Sequence, residues 1–518
     1  MTGGLRKLNF YLLAAAGAAA LTSAGSTQAE AQDMQALQSQ ISTMQAAIKD
    51  LQRQVASAQA QAASAQAAAA SSGGGGGSND LDLKVKWRGA PEFSSSDGKF
   101  KFKVRGRLMT DYNNIDQDEP ITGEGDISAV ELRRARLGVE GVVFYDWKYK
   151  FEVDFAGSEV AIKDAYVAYA NWLGGIELSE IRAGNYYVYS SLEQVTSSRF
   201  ITFMERTALV EAFLPSGEAD RQIGAGVLLG DEHWSFQTGY YGASTGEDNE
   251  MPGQEEFDTD KNAFAIRGTV APINSDSGGV NKVVHLGASF RHRNAGTLRD
   301  CGMVVCLNDD GDEIEANGLF QYRVRGADLH LADRFVDTPQ IFHQDDMWHL
   351  EGAFVWGPFS MQGEYAELRP EIAGGIQSFD FPDANPNVKP TYTAWYVDAS
   401  WYLTGETRNY EGQEGVFGRT KVKNPVFSGD GGGRGWGAWQ LAGRYDVIDL
   451  GDKAAAIGVC GECGEQATWL IGVNWLLTDY TALKFNVTQS EIKGPIGDFN
   501  RNRGADITGF GMRAQVDW

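Results

Sequence analysis

The chain ends Thr508-Gly-Phe-Gly-Met-Arg-Ala-Gln-Val-Asp-Trp518. Phe510, Met512, Ala514, Val516 and Trp518 share one parity, and Gly511, Arg513, Gln515 and Asp517 share the other. A period of two puts the first set on one face of a strand and the second on the opposite face. A final strand closed by an aromatic suits a membrane β-barrel, where the last strand seals against the first and its ring sits at the lipid interface. Taken alone, the segment also fits an edge strand of a soluble sandwich.

Working backwards, the same alternation recurs in sixteen segments of about ten residues, from 100–111 to 508–518. Short turns such as Tyr145-Asp146, Gly357-Pro358 and Thr478-Asp479 join them on one side, and long polar loops on the other. Residues 318–325 also look strand-like, but both ends of a barrel chain lie on the periplasmic side. The count must therefore be even, and this stretch is assigned to a loop. The fold class is all-β: a 16-stranded antiparallel transmembrane β-barrel preceded by a short α-helical coiled-coil segment. Composition agrees, with 63 Gly, 19 Tyr, 26 Phe and 13 Trp and a hydrophobic fraction of only 42%. Sixteen strands leave an aqueous channel, whereas eight would be filled by side chains.

Ahead of the barrel, Arg6 and Lys7 precede an apolar run and then small residues, the pattern of a signal peptide over 1–31 cleaved after Ala31 or Ala29. Met34, Leu37, Ile41, Met44, Ile48, Leu51 and Val55 follow at spacings of three and four. They form a heptad seam, so 32–72 is read as a periplasmic coiled-coil stalk, with a lone amphipathic helix as the alternative. Residues 73–98 form a Gly-rich linker, and the barrel occupies 99–518.

Strand parity also predicts what lines the channel. Lys101, Lys103, Arg105 and Arg107 oppose Phe102, Val104 and Leu108. Arg134 and Arg136 oppose Leu137 and Val139, and His285, Ser289, Arg291 and Arg293 share an inward parity further on. A charge on the lipid face would cost roughly 2–4 kcal/mol near the midplane, which fixes these parities. A column of guanidinium and ammonium groups on a water-filled wall concentrates anions and matches phosphate oxygens. The plainer reading is a solvated, electrostatically mixed wall. The net charge of −24 opposes anion entry, yet the acids cluster in predicted loops at 116–126, 247–260 and 309–315.

The residues now resemble a known family. The stretch from Trp87 to Arg107, Arg133-Arg-Ala-Arg-Leu-Gly138, Phe151-Glu-Val-Asp-Phe-Ala-Gly157 and Lys163-Asp-Ala-Tyr166 are similar to the opening of the phosphate-selective porin O/P family. Thr196-Ser-Ser-Arg-Phe-Ile-Thr-Phe-Met-Glu-Arg206 resembles its third loop, and Tyr402-Leu-Thr-Gly-Glu-Thr-Arg-Asn-Tyr410 its C-terminal signature. The resemblance implies an outer-membrane homotrimer of 16-stranded barrels, each narrowed by a third loop folded into its lumen. It also implies phosphate-binding roles for Arg133 and Arg134, with Arg105, Arg107 and Lys163 beside them. Arg199 and Arg206 become candidates for the constriction, with Glu205 as a pairing partner. The stalk is carried by only part of that family.

Cys301 and Cys306 share one loop and Cys460 and Cys463 another. In an exported chain these are disulfide candidates, local pairs or loop-to-loop. No catalytic constellation stands out, so no enzyme activity, cofactor or metal is expected, and no nucleic-acid partner. The expected partners are inorganic phosphate or other small anions, outer-membrane lipid of a Gram-negative bacterium, and two further copies of the chain. The expected function is a passive, anion-selective diffusion channel for phosphate or a related oxyanion. The alternatives are an envelope-tethering protein whose stalk binds peptidoglycan, and a general cation-tolerant porin.

Overall fold

The computed structural model describes residues 83–87, 89–158, 160–215, 220–242, 262–295, 319–373, 383–427, 434–494 and 504–518, with two short strand pieces at Cys306–Leu307 and Glu313–Ile314. The expected signal peptide, the coiled-coil stalk and the linker glycines at 73–77 lie outside the described residues, as does Cys301. Within 83–98, Leu83–Trp87 and Pro91–Ser95 form a hairpin that adds to the first barrel strand.

Sixteen strands close into one antiparallel barrel. They are β1 Lys101–Asp116, β2 Ile127–Val143, β3 Trp147–Asp154, β4 Ala161–Ala170, β5 Leu178–Tyr187, β6 Arg221–Asp231, β7 Trp234–Tyr241 and β8 Asn262–Asp276. Then follow β9 Asn281–Asn294, β10 Phe342–Trp356, β11 Phe359–Ile372, β12 Tyr392–Tyr402, β13 Ala438–Asp449, β14 Glu465–Thr478, β15 Thr481–Lys493 and β16 Ala505–Asp517. Each pairs with the next, and β16 pairs with β1 from Thr508↔Asp116 to Asp517↔Arg107. Closure leaves no free edge among the sixteen barrel strands, which a spanning sheet in lipid requires. Trp518 completes it: its N–H donates to Gly106 O at 3.0 Å. A Cβ at Gly106 would lie 2.1 Å from the Trp518 ring, so only glycine fits beneath the terminal indole. No described helix is long and apolar enough to cross a membrane.

The outward parity of β16 (Phe510, Met512, Val516) is exposed, and Arg513 and Asp517 are buried inside. Several strands run past the alternating segments, β1 to Asp116 and β8 to Asp276. Beyond the lipid band both faces meet water, so the hydrogen-bond ladder continues after the hydrophobic alternation has stopped. Residues 318–325 add no barrel strand. Arg323–Arg325 instead pairs with Arg334–Asp337 inside the β9–β10 loop.

Three connections fill the lumen. The third loop, 188–220, joins β5 to β6 and carries α1 (Leu192–Val195) and α2 (Ala208–Phe213), each capped by a hydroxyl, Ser191 and Thr207. The β9–β10 loop packs Tyr322, Val324, Leu329 and Val336 against Leu209 and Phe213 of α2 and against Ile448 and Ile507 of the wall. Each such fully buried side chain contributes roughly 1.5–3 kcal/mol. The third, 403–437, joins β12 to β13 at the end that otherwise carries short turns, and so departs from the expected pattern. It folds back into the barrel as a small hairpin, Tyr410–Glu411 with Val416–Phe417. Arg267 of β8 fastens it by donating to the carbonyls of Glu414 and Gly415 at 3.1 and 2.7 Å.

Candidate functional site

A β-bulge builds the constriction. Met109 of β1 pairs with Arg134 of β2, but Thr110 pairs with Leu132, leaving Arg133 as the extra residue. Strict alternation would turn one of two adjacent arginines to lipid; the bulge aims both inward. They meet Glu205 of the third loop. Arg133 grips it in a fork, Nε to Oε1 and Nη2 to Oε2 both at 2.8 Å. Arg134 Nη2 is 3.4 Å from Oε2, and Arg513 Nη2 of β16 is 2.5 Å from Oε1. Burial works to raise the Glu205 carboxyl, but Arg133, Arg134 and Arg513 override it and hold the group well below the usual carboxylate range.

The cluster holds more positive charge than it answers. Arg513 also forks Asp111, with Nε to Oδ1 at 2.7 Å and Nη2 to Oδ2 at 2.6 Å. Lys484 of β15 is buried beside Arg134 and Arg513. It donates to the carbonyls of Ile201 and Phe203 at 2.6 and 3.4 Å, and has no carboxylate partner among the described residues. Arg133, Arg134, Lys484 and Arg513 thus face two carboxylates, Asp111 and Glu205. Arg134 is the least satisfied. Its side chain is 4% exposed, its Nη1 meets only Met109 Sδ at 3.6 Å, and its Nε has no acceptor among the described residues. A buried guanidinium short of acceptors is costly unless an anion reaches it.

The remaining cations expected at the site separate into three situations. Arg105 pairs with Glu140. Arg107 bonds Ser198 of the third loop at 2.6 Å and Glu152 at 3.3 Å, and Arg136 bonds Asp154 at 2.7 Å. This is a paired ladder rather than a bare cationic column, because acids on β2 and β3 sit across from the arginines. Lys101 and Lys103 lie at the turn end of β1, and Lys163 sits at a bulge in β4; none makes an ion pair among the described residues. Arg206 lies within the loop, donating to the carbonyls of Glu193, Gln194 and Thr196 at 3.1, 3.2 and 2.9 Å, and so braces α1.

Arg199 lines a cavity below the constriction together with Arg408, Arg419 and Lys484. Arg408 and Arg419 come from the folded-back 403–437 connection. Sequence reasoning did not bring these two, Lys484 or Arg513 to the site. Arg513 and Lys484 carried a readable signal, an inward parity in their strands. Arg408 and Arg419 carried none, since nothing in their spacing says that a turn enters the lumen. Cys460 and Cys463 are joined to one another as a local disulfide.

Residues 102–518 match the family model described as phosphate-selective porin O and P. The chain is 27% identical over 454 residues to Porin O of Pseudomonas aeruginosa, covering 85% of this chain and 94% of that protein. It is 27% identical over 441 residues to an uncharacterized protein of Caulobacter vibrioides, covering 84% and 77%. Among solved structures, OprB of Pseudomonas putida at high pH aligns with a TM-score of 0.45 at 9% identity, covering 82% of this chain and 95% of that one. With the closed barrel, the family match makes the chain an outer-membrane porin of a Gram-negative bacterium, a member of the phosphate-selective porin O and P family.

Proposed function

We infer that the barrel is a passive, anion-selective diffusion channel for phosphate or a related oxyanion. The observation that carries this reading is Arg134: a buried guanidinium whose Nε has no acceptor among the described residues, set among Arg133, Arg513 and Lys484. A tetrahedral oxyanion offers several acceptor oxygens at once and suits guanidinium forks. Water in the lumen hands the anion to this cluster, where it competes with Glu205 for the arginines. Lys101 and Lys103 at the turn-end mouth, and Arg199, Arg408 and Arg419 in the cavity on that same side of the constriction, hold anions on one side of it. The gradient alone sets the direction of flow.

The reading is tested by phosphate block of chloride current through single channels. Arg134→Gln should raise the half-blocking phosphate concentration by at least about tenfold, the loss of one charge-assisted hydrogen bond of ~1.5–3 kcal/mol. An unchanged half-block would sink the assignment. Trimer assembly and a periplasmic stalk belong to the same proposal, and attachment of that stalk to peptidoglycan to the alternative, an envelope-tethering protein. Deleting residues 32–72 separates the two: a channel keeps its conductance, whereas a tether loses its envelope attachment.

A further inference from the structure

Half a barrel turn away from the guanidinium cluster, strands β9 to β11 carry a buried group of opposite character. Glu351 of β10 and Glu364 of β11 are direct cross-strand partners on the inner face. His349 lies two residues before Glu351 on that same face, and all three side chains are 0% exposed. Like charges placed directly across a sheet repel, and burial sharpens the repulsion. Glu351 has an answer in Arg267, 2.6 Å away. Glu364 has no lysine or arginine partner among the described residues. It accepts from His349 Nε2 at 2.7 Å, from the Tyr396 hydroxyl at 2.6 Å and from the Glu193 N–H at 2.8 Å.

One imidazole and two carboxylates, with ligand atoms all within 4.8 Å of one another, make a donor set for a divalent transition ion. We propose that His349, Glu351 and Glu364 form a metal site of the zinc class in the inner wall, with the ion supplying the positive charge that no described lysine or arginine brings to Glu364. At zinc bond lengths of about 2.0–2.2 Å, ligands of a tetrahedral ion sit roughly 3.3 Å apart. His349 Nε2 therefore parts from Glu364 by about half an ångström as the ion replaces the proton between them. The surrounding shell is already in place. Arg267 and His285 orient Glu351, Tyr396 orients Glu364, and Ser289 lies 3.3 Å from His349 Nδ1.

The site also touches both segments that narrow the pore. Glu364 holds the N–H of Glu193 in α1 of the third loop. His285, bonded to Glu351 at 3.0 Å, holds the Tyr410 hydroxyl of the 403–437 hairpin at 2.7 Å. An ion bound here fastens the two constricting segments to one stretch of wall. The proposal is independent of the anion reading, since no residue is shared between the two clusters.

The test uses the full chain purified in detergent, stripped with a chelator and titrated with Zn(II), then with Co(II) as a spectroscopic substitute. The expected result is one Zn(II) per chain at submicromolar Kd, and visible Co(II) bands of low-coordinate geometry. His349→Asn and Glu364→Gln should each weaken binding by at least about 30-fold, while heat-dependent gel migration reports an intact barrel. Zinc X-ray absorption on the unaltered chain should give a single imidazole shell, and it decides the matter even where a variant fails to fold. Oxygen-only scattering, or unchanged binding in both folded variants, would mean that the ion sits on acidic loops and would overturn the proposal.

Discussion

On the proposed reading an oxyanion seated against Arg134 lies beside Glu205, which makes Glu205→Gln the most informative single substitution. Glutamine keeps a carbonyl for Arg133 and Arg513 but removes the negative charge that now sits 2.5–3.4 Å from three guanidiniums. An anion seated against Arg134 would be about 4 Å from that carboxylate. Two unit charges at that distance interact by ~1 kcal/mol in bulk water and ~4 kcal/mol at an effective dielectric of 20. The lumen lies between these limits. Removing the repulsion should therefore tighten phosphate binding by roughly fivefold to several hundredfold. The assay is phosphate block of chloride current in planar bilayers, with gel migration confirming a closed barrel. The half-blocking concentration should fall by at least about fivefold, and chloride conductance should rise. If half-block is unchanged or moves upward with the barrel intact, Glu205 is a brace that aims the arginines, and the competition reasoning is refuted.

Three further outcomes follow from the geometry. Lys484→Gln should leave the barrel folded and lower anion over cation permeability, because it removes from the constriction a cation with no acidic partner among the described residues; unaltered permeability ratios would show that Lys484 does not act on the ion path. Phe213→Ala should cost about 3–5 kcal/mol in the packing of the third loop against the β9–β10 loop, since Phe213 is fully buried against Tyr322. Thermal melting that leaves this region as stable as in the unaltered chain would contradict it. Burial, helped by Glu462, pushes the Asp337 carboxyl up to about 7 against the pull of Arg323. Its folded pKa is raised, so its contribution is present while it is protonated and is lost as pH rises through about 7. Hydrogen exchange in residues 319–341, corrected for intrinsic rates, should quicken between pH 6 and 8. Asp337→Asn should remove that change, and persistence of the change in the variant would assign it elsewhere.

The barrel was legible because lipid imposes a rule that water does not. A charge on the outer face is expensive, so strands such as β16 advertise their two faces residue by residue. The same rule gave the inward parity of Arg107, Arg134 and Arg136. It fails at Arg133, where the bulge puts two neighbours on one side, and the adjacent pair of arginines is the only trace of that in the sequence. It is silent on the lumen contents. The hairpin at Tyr410–Glu411 and Val416–Phe417 meets Arg267, which lies 148 residues before Gly415 in the chain, and no local pattern encodes such a contact. Nor does parity reveal pairing. Arg105, Arg107 and Arg136 read as a bare column because Glu140, Glu152 and Asp154 face them only once strand register is known.

The central claim is that the constriction selects anions through Arg133, Arg134, Arg513 and Lys484. Its most direct test is the single-channel reversal potential in a KCl gradient, repeated with added phosphate. The account predicts reversal on the chloride side, with phosphate blocking the current at low concentration. Reversal on the potassium side without block would contradict it, and would mean that the acidic loops govern what passes.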